Sequence, residues 1–375
     1  MRVTIVGGGP AGLYFALLMK KRNPRHEVSV FERDGPGDTY GWGIVFSDQT
    51  LTYLRDSDEP SYQEIKEAFE TWDSLDVVHR GEKVSIRGNR FSGIARVAFL
   101  DILQRRCLAL GVEIRYRTPV MELASLGSCD LLVGADGANS LVRRTYQDAF
   151  RPSLDVRKNK YVWLGTRRLF PGLTLTFRES GAGLFVAHSY TFNRTTSTFI
   201  VEAVGDAWEK AGLAGMSEEE TCAFLADVFG DDLRGEPLLT NNFVRWLNFV
   251  IVKNERWQHE NVVLLGDALH TAHFSIGSGT KAALEDAIAL AQCFQERADV
   301  AAALGTFAQT RKPVVDDLQR AAHSSLAWFE NAHTRMDLTP LELAYELMTR
   351  SQKIDIEKLR RRDPAFVAAY ERARA

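Results

Sequence analysis

Three short stretches of this 375-residue chain each join an apolar run, glycines and an acid in a pattern suited to holding a nucleotide. Near the start, RVTIV leads into GGGPAG, which places glycines at 7, 9 and 12. Gly7 permits a tight turn, Gly9 lets the backbone approach a pyrophosphate, and Gly12 lets the next helix pack closely on the strand. That helix opens at Pro10 and Ala11, where unpaired N–H groups and the positive end of the dipole face the phosphates. Glu32, followed by Arg33, stands 20 positions after Gly12, at the end of a second strand-like run. A carboxylate there accepts from ribose hydroxyls. It suits NAD or the ADP half of FAD and does not choose between them.

The second stretch, DLLVGADGANSLVRR at 130–144, reads as a buried strand, then Asp136-Gly137, then a helix capped by Asn139 or Ser140. The third, VVLLGDALHTAHFSIGSG at 262–279, is an apolar strand ending in Gly266 and Asp267. A loop with Gly277 and Gly279 follows, and a helix starts near Thr280. Ligands of an open parallel sheet lie beyond the carboxyl ends of its strands, so the three stretches converge on one crevice. Taken singly, Asp136 and Asp267 also read as helix caps or turn residues.

In this order and spacing the three motifs resemble the aromatic-hydroxylase class of flavoprotein monooxygenases, the group of p-hydroxybenzoate hydroxylase. The resemblance implies FAD as cofactor, NADH or NADPH as reductant, and dioxygen activated as a flavin hydroperoxide that attacks an electron-rich ring. It also implies that Arg96, in the segment 92–115, contacts the flavin. The implied cofactor-binding set is Gly7, Gly9, Pro10, Ala11, Gly12, Glu32, Arg33, Arg96, Asp136, Gly137, Gly266, Asp267, Gly277, Gly279 and Thr280. Family members commonly carry a proline pair and an asparagine where this chain has His273-Phe274 and Lys281. With GWGIVFSDQT at 41–50, WFE at 328–330 and MDL at 336–338, these departures are similar to the salicylyl-CoA 5-hydroxylases and the monooxygenase half of 2-aminobenzoyl-CoA monooxygenase/reductase. A sister resemblance is to the violacein-pathway tryptophan hydroxylase. The implied substrate is an aromatic acyl-CoA thioester, with a free aromatic acid or an indole intermediate as the alternative. His273, expected beside the isoalloxazine, is the candidate catalytic acid–base group; a loop-shaping histidine held by backbone carbonyls is the other reading. His270 has the same two readings.

These residues need a scaffold. Between 155 and 252 the chain carries period-2 runs at 161–165, 174–177, 184–188 and 197–202, which predict an antiparallel sheet. Trp163, Phe185 and Tyr190, with Phe274, are the candidate substrate-pocket residues, and plain core is the alternative. Arg157, Lys158, Lys160, Arg167 and Arg168 form a local basic cluster suited to the phosphates of CoA, with Arg167 as the candidate contact. A solvated face is the alternative. After 310 the pattern is helical, with Pro313 and Pro340 at helix starts or breaks. The expected architecture is α/β: a Rossmann-like FAD-binding domain from 1–75, 93–150 and 255–310. An antiparallel-sheet substrate domain from 76–92 and 151–254 is inserted into it, and helices cover 311–375.

Apolar residues at 45% and charged residues at 25% fit a globular chain. Lys plus Arg against Asp plus Glu gives 46 − 49 = −3, which disfavours nucleic acid or an anionic membrane as partner. The 4 cysteines form no CxxC pair, so neither a metal site nor a disulfide framework is expected, and a reducing, cytoplasmic compartment fits. Lys20, Lys21 and Arg22 close the first apolar stretch without a signal-cleavage site. The chain lacks the second GxGxxG and redox cysteine pair of a pyridine-nucleotide-disulfide reductase, and the W-x-W-x-x-P of a flavin-dependent halogenase. A Rossmann-type binding protein, similar to GDP dissociation inhibitors, is the non-enzyme alternative, and the Gly266-Asp267 motif weighs against it.

Overall fold

A run of apolar and β-branched residues with little alternation suits a strand covered on both faces. Arg2–Val6 is such a run, and it lies inside a six-stranded sheet in the computed structural model, which describes residues 1–241, 244–297 and 299–374. Across this sheet the order is Gln258–His259, Val262–Leu264, Leu131–Gly134, Arg2–Val6, Glu27–Phe31 and Glu113–Arg115, parallel except for the first pair. Gly134 pairs with both Val6 and Leu264, so three strands end at one level. Gly7, Ala135 and Leu265 therefore open on a single crevice. The helices Pro10–Arg22, Arg96–Ala109 and Gly279–Glu296 share one apolar core with this sheet through Leu13, Phe15, Phe99, Leu103, Leu284 and Ile288. Ser140, not Asn139, caps the helix Leu141–Thr145 by accepting from the Arg143 N–H.

The second sheet is mainly antiparallel. Its order is Leu238–Leu239, Pro152–Thr166, Thr196–Ala203, Gly183–Asn193, Leu173–Ser180, Leu75–His79 and Glu82–Ile86, with Leu247–Asn254 also paired to Pro152–Thr166. Leu75–His79 joins it in parallel, so a hairpin from early in the chain completes a sheet drawn otherwise from 152–254. Gly43–Ser47, Phe91–Ala95 and Glu70–Trp72 form a small third sheet in that order.

Side chains alternate across a strand, and this decides which residues of Gly183–Asn193 can reach a ligand. Leu184 and Val186 join Trp328 and Phe329 in one core; Phe185 and Ala187 join Phe199, Leu225 and Phe229 in another on the opposite face. Phe185 is fully buried there, with its ring 5.5 Å from that of Phe224, so it does not belong to a substrate pocket. His188 and Tyr190 continue the face of Leu184 and Val186.

The chain ends in helices. Pro340 opens Pro340–Thr349 at its first turn, behind a Thr339–Glu342 capping box. Pro313, expected at a helix start or break, instead lies inside Val300–Glu330. Buried Phe307, Val315 and Leu326 hold that helix together across the lost hydrogen bond. Leu343, Leu347, Leu359 and Phe366 bring the last helices onto the sheet beside Leu75 and Val77. Among the described residues no helix is long and apolar enough to cross a membrane. Because Phe185 is core, Phe185→Ala is expected to cost about 3–5 kcal/mol in a urea unfolding titration, far more than loss of a half-exposed pocket aromatic.

Candidate active site

The crevice starts at the glycine loop. Gly7 has φ +107°, and a Cβ there would lie 2.2 Å from the Ala135 carbonyl oxygen; a Cβ on Gly12 would lie 2.1 Å from the Gly7 carbonyl oxygen. These two glycines allow the chain to close on itself. Gly9 differs, because a Cβ there would meet nothing within 4 Å, and the same holds for Gly137, Gly277 and Gly279. Their backbones border open space along one cavity of about 500 Å³, which also touches Pro10, Ala11, Gly266 and Thr280. The helices Pro10–Arg22 and Gly279–Glu296 both lack a side-chain cap, so their first N–H groups are free to bind a ligand. Ser217, Asp299 and Thr339 cap helices elsewhere in the molecule.

Glu32 accepts from the Gly8 N–H at 2.6 Å and the Asp34 N–H at 2.9 Å, so it braces the loop from behind. Arg33 is exposed and engages Asp34 and Tyr40 rather than lining the cavity. Asp136 accepts from the Leu141 and Val142 N–H groups with one oxygen and thus serves the following helix. Its other oxygen is buried without a partner. Asp267 faces the cavity, surrounded by protein yet open to the internal space, and burial pushes its carboxyl up against the pull of Arg96. Arg96 opens Arg96–Ala109, donates to Thr39 at 2.9 Å and lines the same cavity. His270 gives its Nε2 to Asp286 at 2.7 Å and is buried, a structural position.

Beyond the loop the cavity widens into a chamber walled by Tyr161, Trp163, Leu175, Tyr190, Phe249, Phe274 and Met348. Tyr190 donates to the Gly43 carbonyl at 2.7 Å, and burial pushes the Tyr161 phenol up to about 12. Arg350 also lines this chamber, donating to the Ser325 hydroxyl at 2.9 Å and the Ser275 carbonyl at 2.6 Å. Burial alone pushes its guanidinium down to about 10.

His273 is not on the chamber wall. Its Nδ1 accepts from the Ser275 N–H and pairs with the Ser275 hydroxyl at 2.8 Å, which continues to Ser325. Burial pushes it down to about 4, so it is neutral near pH 7. Its Nδ1 is thus engaged within the loop, by Ser275 rather than by a backbone carbonyl. The histidine that does face the chamber is His188, backed by Glu202 at 3.3 Å. Sequence reasoning missed it; the alternation that pairs 188 with 190 was the available signal. Arg167 is exposed past the end of Pro152–Thr166 and does not reach the cavity. The basic cluster disperses because a strand spreads ten residues over about 33 Å. Within it, Arg157 pairs with Glu330 and Asp155, and Lys160 lies over the Trp208 ring.

Comparison with known proteins matches residues 124–322 to an FAD binding domain and residues 5–41 to an NAD(P)-binding Rossmann-like domain. Salicyloyl-CoA 5-hydroxylase of a Streptomyces species is 40% identical, over 98% of this chain and 72% of that protein. The chain belongs to the class A FAD-dependent aromatic monooxygenases. A 3-hydroxy-4-methyl-anthranilyl-[aryl-carrier protein] 5-monooxygenase of Streptosporangium sibiricum is 37% identical over 94% of this chain and 95% of its own. Protodeoxyviolaceinate monooxygenase of Chromobacterium violaceum is 33% identical over the same two shares, 94% and 95%. The solved structure of 2-methyl-3-hydroxypyridine-5-carboxylic acid oxygenase shares the fold, with a TM-score of 0.74 at 20% identity, over 92% of this chain and 95% of that one.

The cradle fits the cofactor of this class. Four glycine backbones open on empty space, two helix N-termini lack a side-chain cap, and Asp267 has no hydrogen-bond partner among the described residues. Two outcomes follow. Gly9→Ala is expected to leave the thermal melt of the apoprotein within about 0.5 kcal/mol while weakening FAD binding in a fluorescence titration. Gly12→Ala is expected to cost about 1–3 kcal/mol in the melt itself. For His273, the folded state protonates near 4 and an ordinary histidine near 6.5, so its contribution to stability is present above pH 6.5. That contribution is lost as the pH falls from 6.5 towards 4. Melting temperatures of His273→Gln against wild type across that window are expected to show a weaker fall for the variant.

Proposed function

We propose that this monooxygenase hydroxylates the ring of a 2-hydroxy- or 2-aminobenzoyl group carried as a phosphopantetheine thioester, using NADH or NADPH and dioxygen. One observation carries the reading: the aromatic chamber runs out past Asn89, Ser351 and Ile354 to Arg362, which is exposed to solvent. A ring can be enclosed at Phe274 and Trp163 while a polar tail leaves along that path. CoA and an acylated carrier protein share this tail, and salicyloyl-CoA and an aryl-carrier substrate are what two relatives act on by name.

The roles of the chain's own groups follow. The glycine loop N–H groups and the helix Pro10–Arg22 would hold the pyrophosphate, Glu32 the adenosine ribose, and Asp267 the ribityl hydroxyls. When bound, FAD would carry the reducing equivalents of NADH or NADPH to dioxygen and supply its activation. The uncapped N–H groups at Gly279 and Thr280 would stabilise negative charge on the bound cofactor. Phe249, Phe274, Tyr161 and Met348 keep water from the ring and fix its plane.

The test is turnover. NADH and NADPH oxidation is compared with 2-hydroxybenzoyl-CoA, free 2-hydroxybenzoate and an indole substrate, with product quantified. Coupled hydroxylation is expected with the thioester; coupled product only from the free acid or the indole would replace this reading with that one.

A further inference from the structure

We propose that His188, held by Glu202, is the group that accepts the proton of the substrate's ring hydroxyl, so that the ring enters oxygen transfer as a phenolate. This rests on the hydroxybenzoyl reading above. His188 sits on Gly183–Asn193 opposite Ile200, and Glu202 lies two residues further along the paired strand, on the same face. The His188 Nε2 meets Glu202 Oε2 at 3.3 Å. A carboxylate there fixes the tautomer with the proton on Nε2 and leaves Nδ1 as an acceptor. No described residue bonds to Nδ1, and His188 is part of the chamber wall.

Glu202 is built to stay ionised. It is 1% exposed, its Oε1 accepts from the Asn159 amide at 2.7 Å, and Asn159 is itself fixed by the Gly205 N–H at 3.1 Å. Burial pushes its carboxyl up, but the hydrogen bonds from His188 and Asn159 outweigh that and hold it below the usual range. A buried carboxylate is a costly way to anchor a neutral histidine, because apolar residues of similar volume would fill the same space without the desolvation cost. It repays that cost when the histidine turns cationic. The step balances simply: the substrate O–H bond breaks, its electron pair stays on oxygen, and the proton forms an N–H bond at Nδ1. The imidazolium is then paired with Glu202, the arrangement that supports histidine as a base elsewhere.

The other charged groups around His188 agree with this direction. Phe329 packs against the His188 ring at 4.9 Å and lies under the Arg350 guanidinium at 5.5 Å. Arg350 has no carboxylate partner among the described residues, so it supplies an uncompensated positive charge to the chamber in which a phenolate forms. Arg157 is neutralised by Glu330 at 2.6 Å and Asp155 at 2.7 Å. His273 is neutral and turned to Ser275. A 2-aminobenzoyl ring needs no such proton removal, since a neutral amine already activates the ring and histidine is too weak a base to ionise it. His188 then only accepts a hydrogen bond from it.

The experiment uses FAD-loaded full-length protein. Phenolate absorbance of bound 2-hydroxybenzoyl-CoA is recorded against pH without reductant, and coupled product is measured with both 2-hydroxy- and 2-aminobenzoyl-CoA. Wild type is expected to bind the phenolate form below the pH at which the free thioester ionises. In His188→Gln that transition is expected to rise by about one pH unit or more, a tenfold loss of phenolate at fixed pH. Coupled product from the hydroxy substrate falls at neutral pH and recovers at a pH where the free phenol ionises; product from the amino substrate shows no such recovery with pH. Glu202→Gln keeps the shape and is expected to shift the transition in the same direction, which covers failure of the first variant to fold. Unshifted ionisation in a variant that still binds the thioester overturns the proposal. Absence of thioester binding to wild type overturns the substrate reading, and this assignment with it.

Discussion

A single buried carboxylate, Asp286, ties together the segments that shape the cofactor crevice. It accepts from His270 Nε2 at 2.7 Å and from Arg311 Nε at 2.8 Å, while Arg311 also reaches Glu285 at 2.9 Å. His270 lies three residues beyond Asp267, Asp286 lies in the helix that the cofactor loop runs into, and Arg311 belongs to the long helix Val300–Glu330. Burial pushes the Asp286 carboxyl up, but its bonds to His270 and Arg311 outweigh that and hold it low. Breaking one arm would leave a buried charge without its partner, which is strongly destabilising. The loop carrying Asp267, Phe274 and Gly279 is therefore fixed at its start, at its end and from behind.

Given that fixed loop, the interleaving of the chain has a physical purpose. The parallel sheet supplies three strand ends at one level, and the antiparallel sheet supplies a wall of alternate side chains. Neither encloses a ligand alone. The C-terminal helices close the far side, bringing Met348, Arg350 and Ile354 to the same cavity as Gly9 and Asp267.

Much of the cofactor end was legible in the sequence because its constraints are local. Gly7 and Gly12 have no room for a side chain, and a glycine fingerprint followed by an acid records that directly. The chamber was harder to read, because its residues come from six separated segments and depend on the face each one presents. Phe185 and His188 lie in one strand and differ only in parity, and nothing in a run of apolar residues says which face meets the ligand. Sequence position alone puts His273 next to the expected flavin. Its side chain is spent on Ser275 instead, a turn of two residues that spacing does not reveal. Arg350 carried no signal at all, since the partners that tie it to the chamber, the Ser275 carbonyl and the Ser325 hydroxyl, come from distant segments.

The central claim is that the chamber is shaped for an aromatic ring on a long polar tail. Its most direct test is an equilibrium titration of the FAD-loaded protein, followed by the flavin difference spectrum, with 2-hydroxybenzoyl phosphopantetheine and with free 2-hydroxybenzoate. Saturable perturbation at least about tenfold tighter for the thioester, some 1.4 kcal/mol, is the predicted result. Equal or tighter binding of the free acid would contradict it.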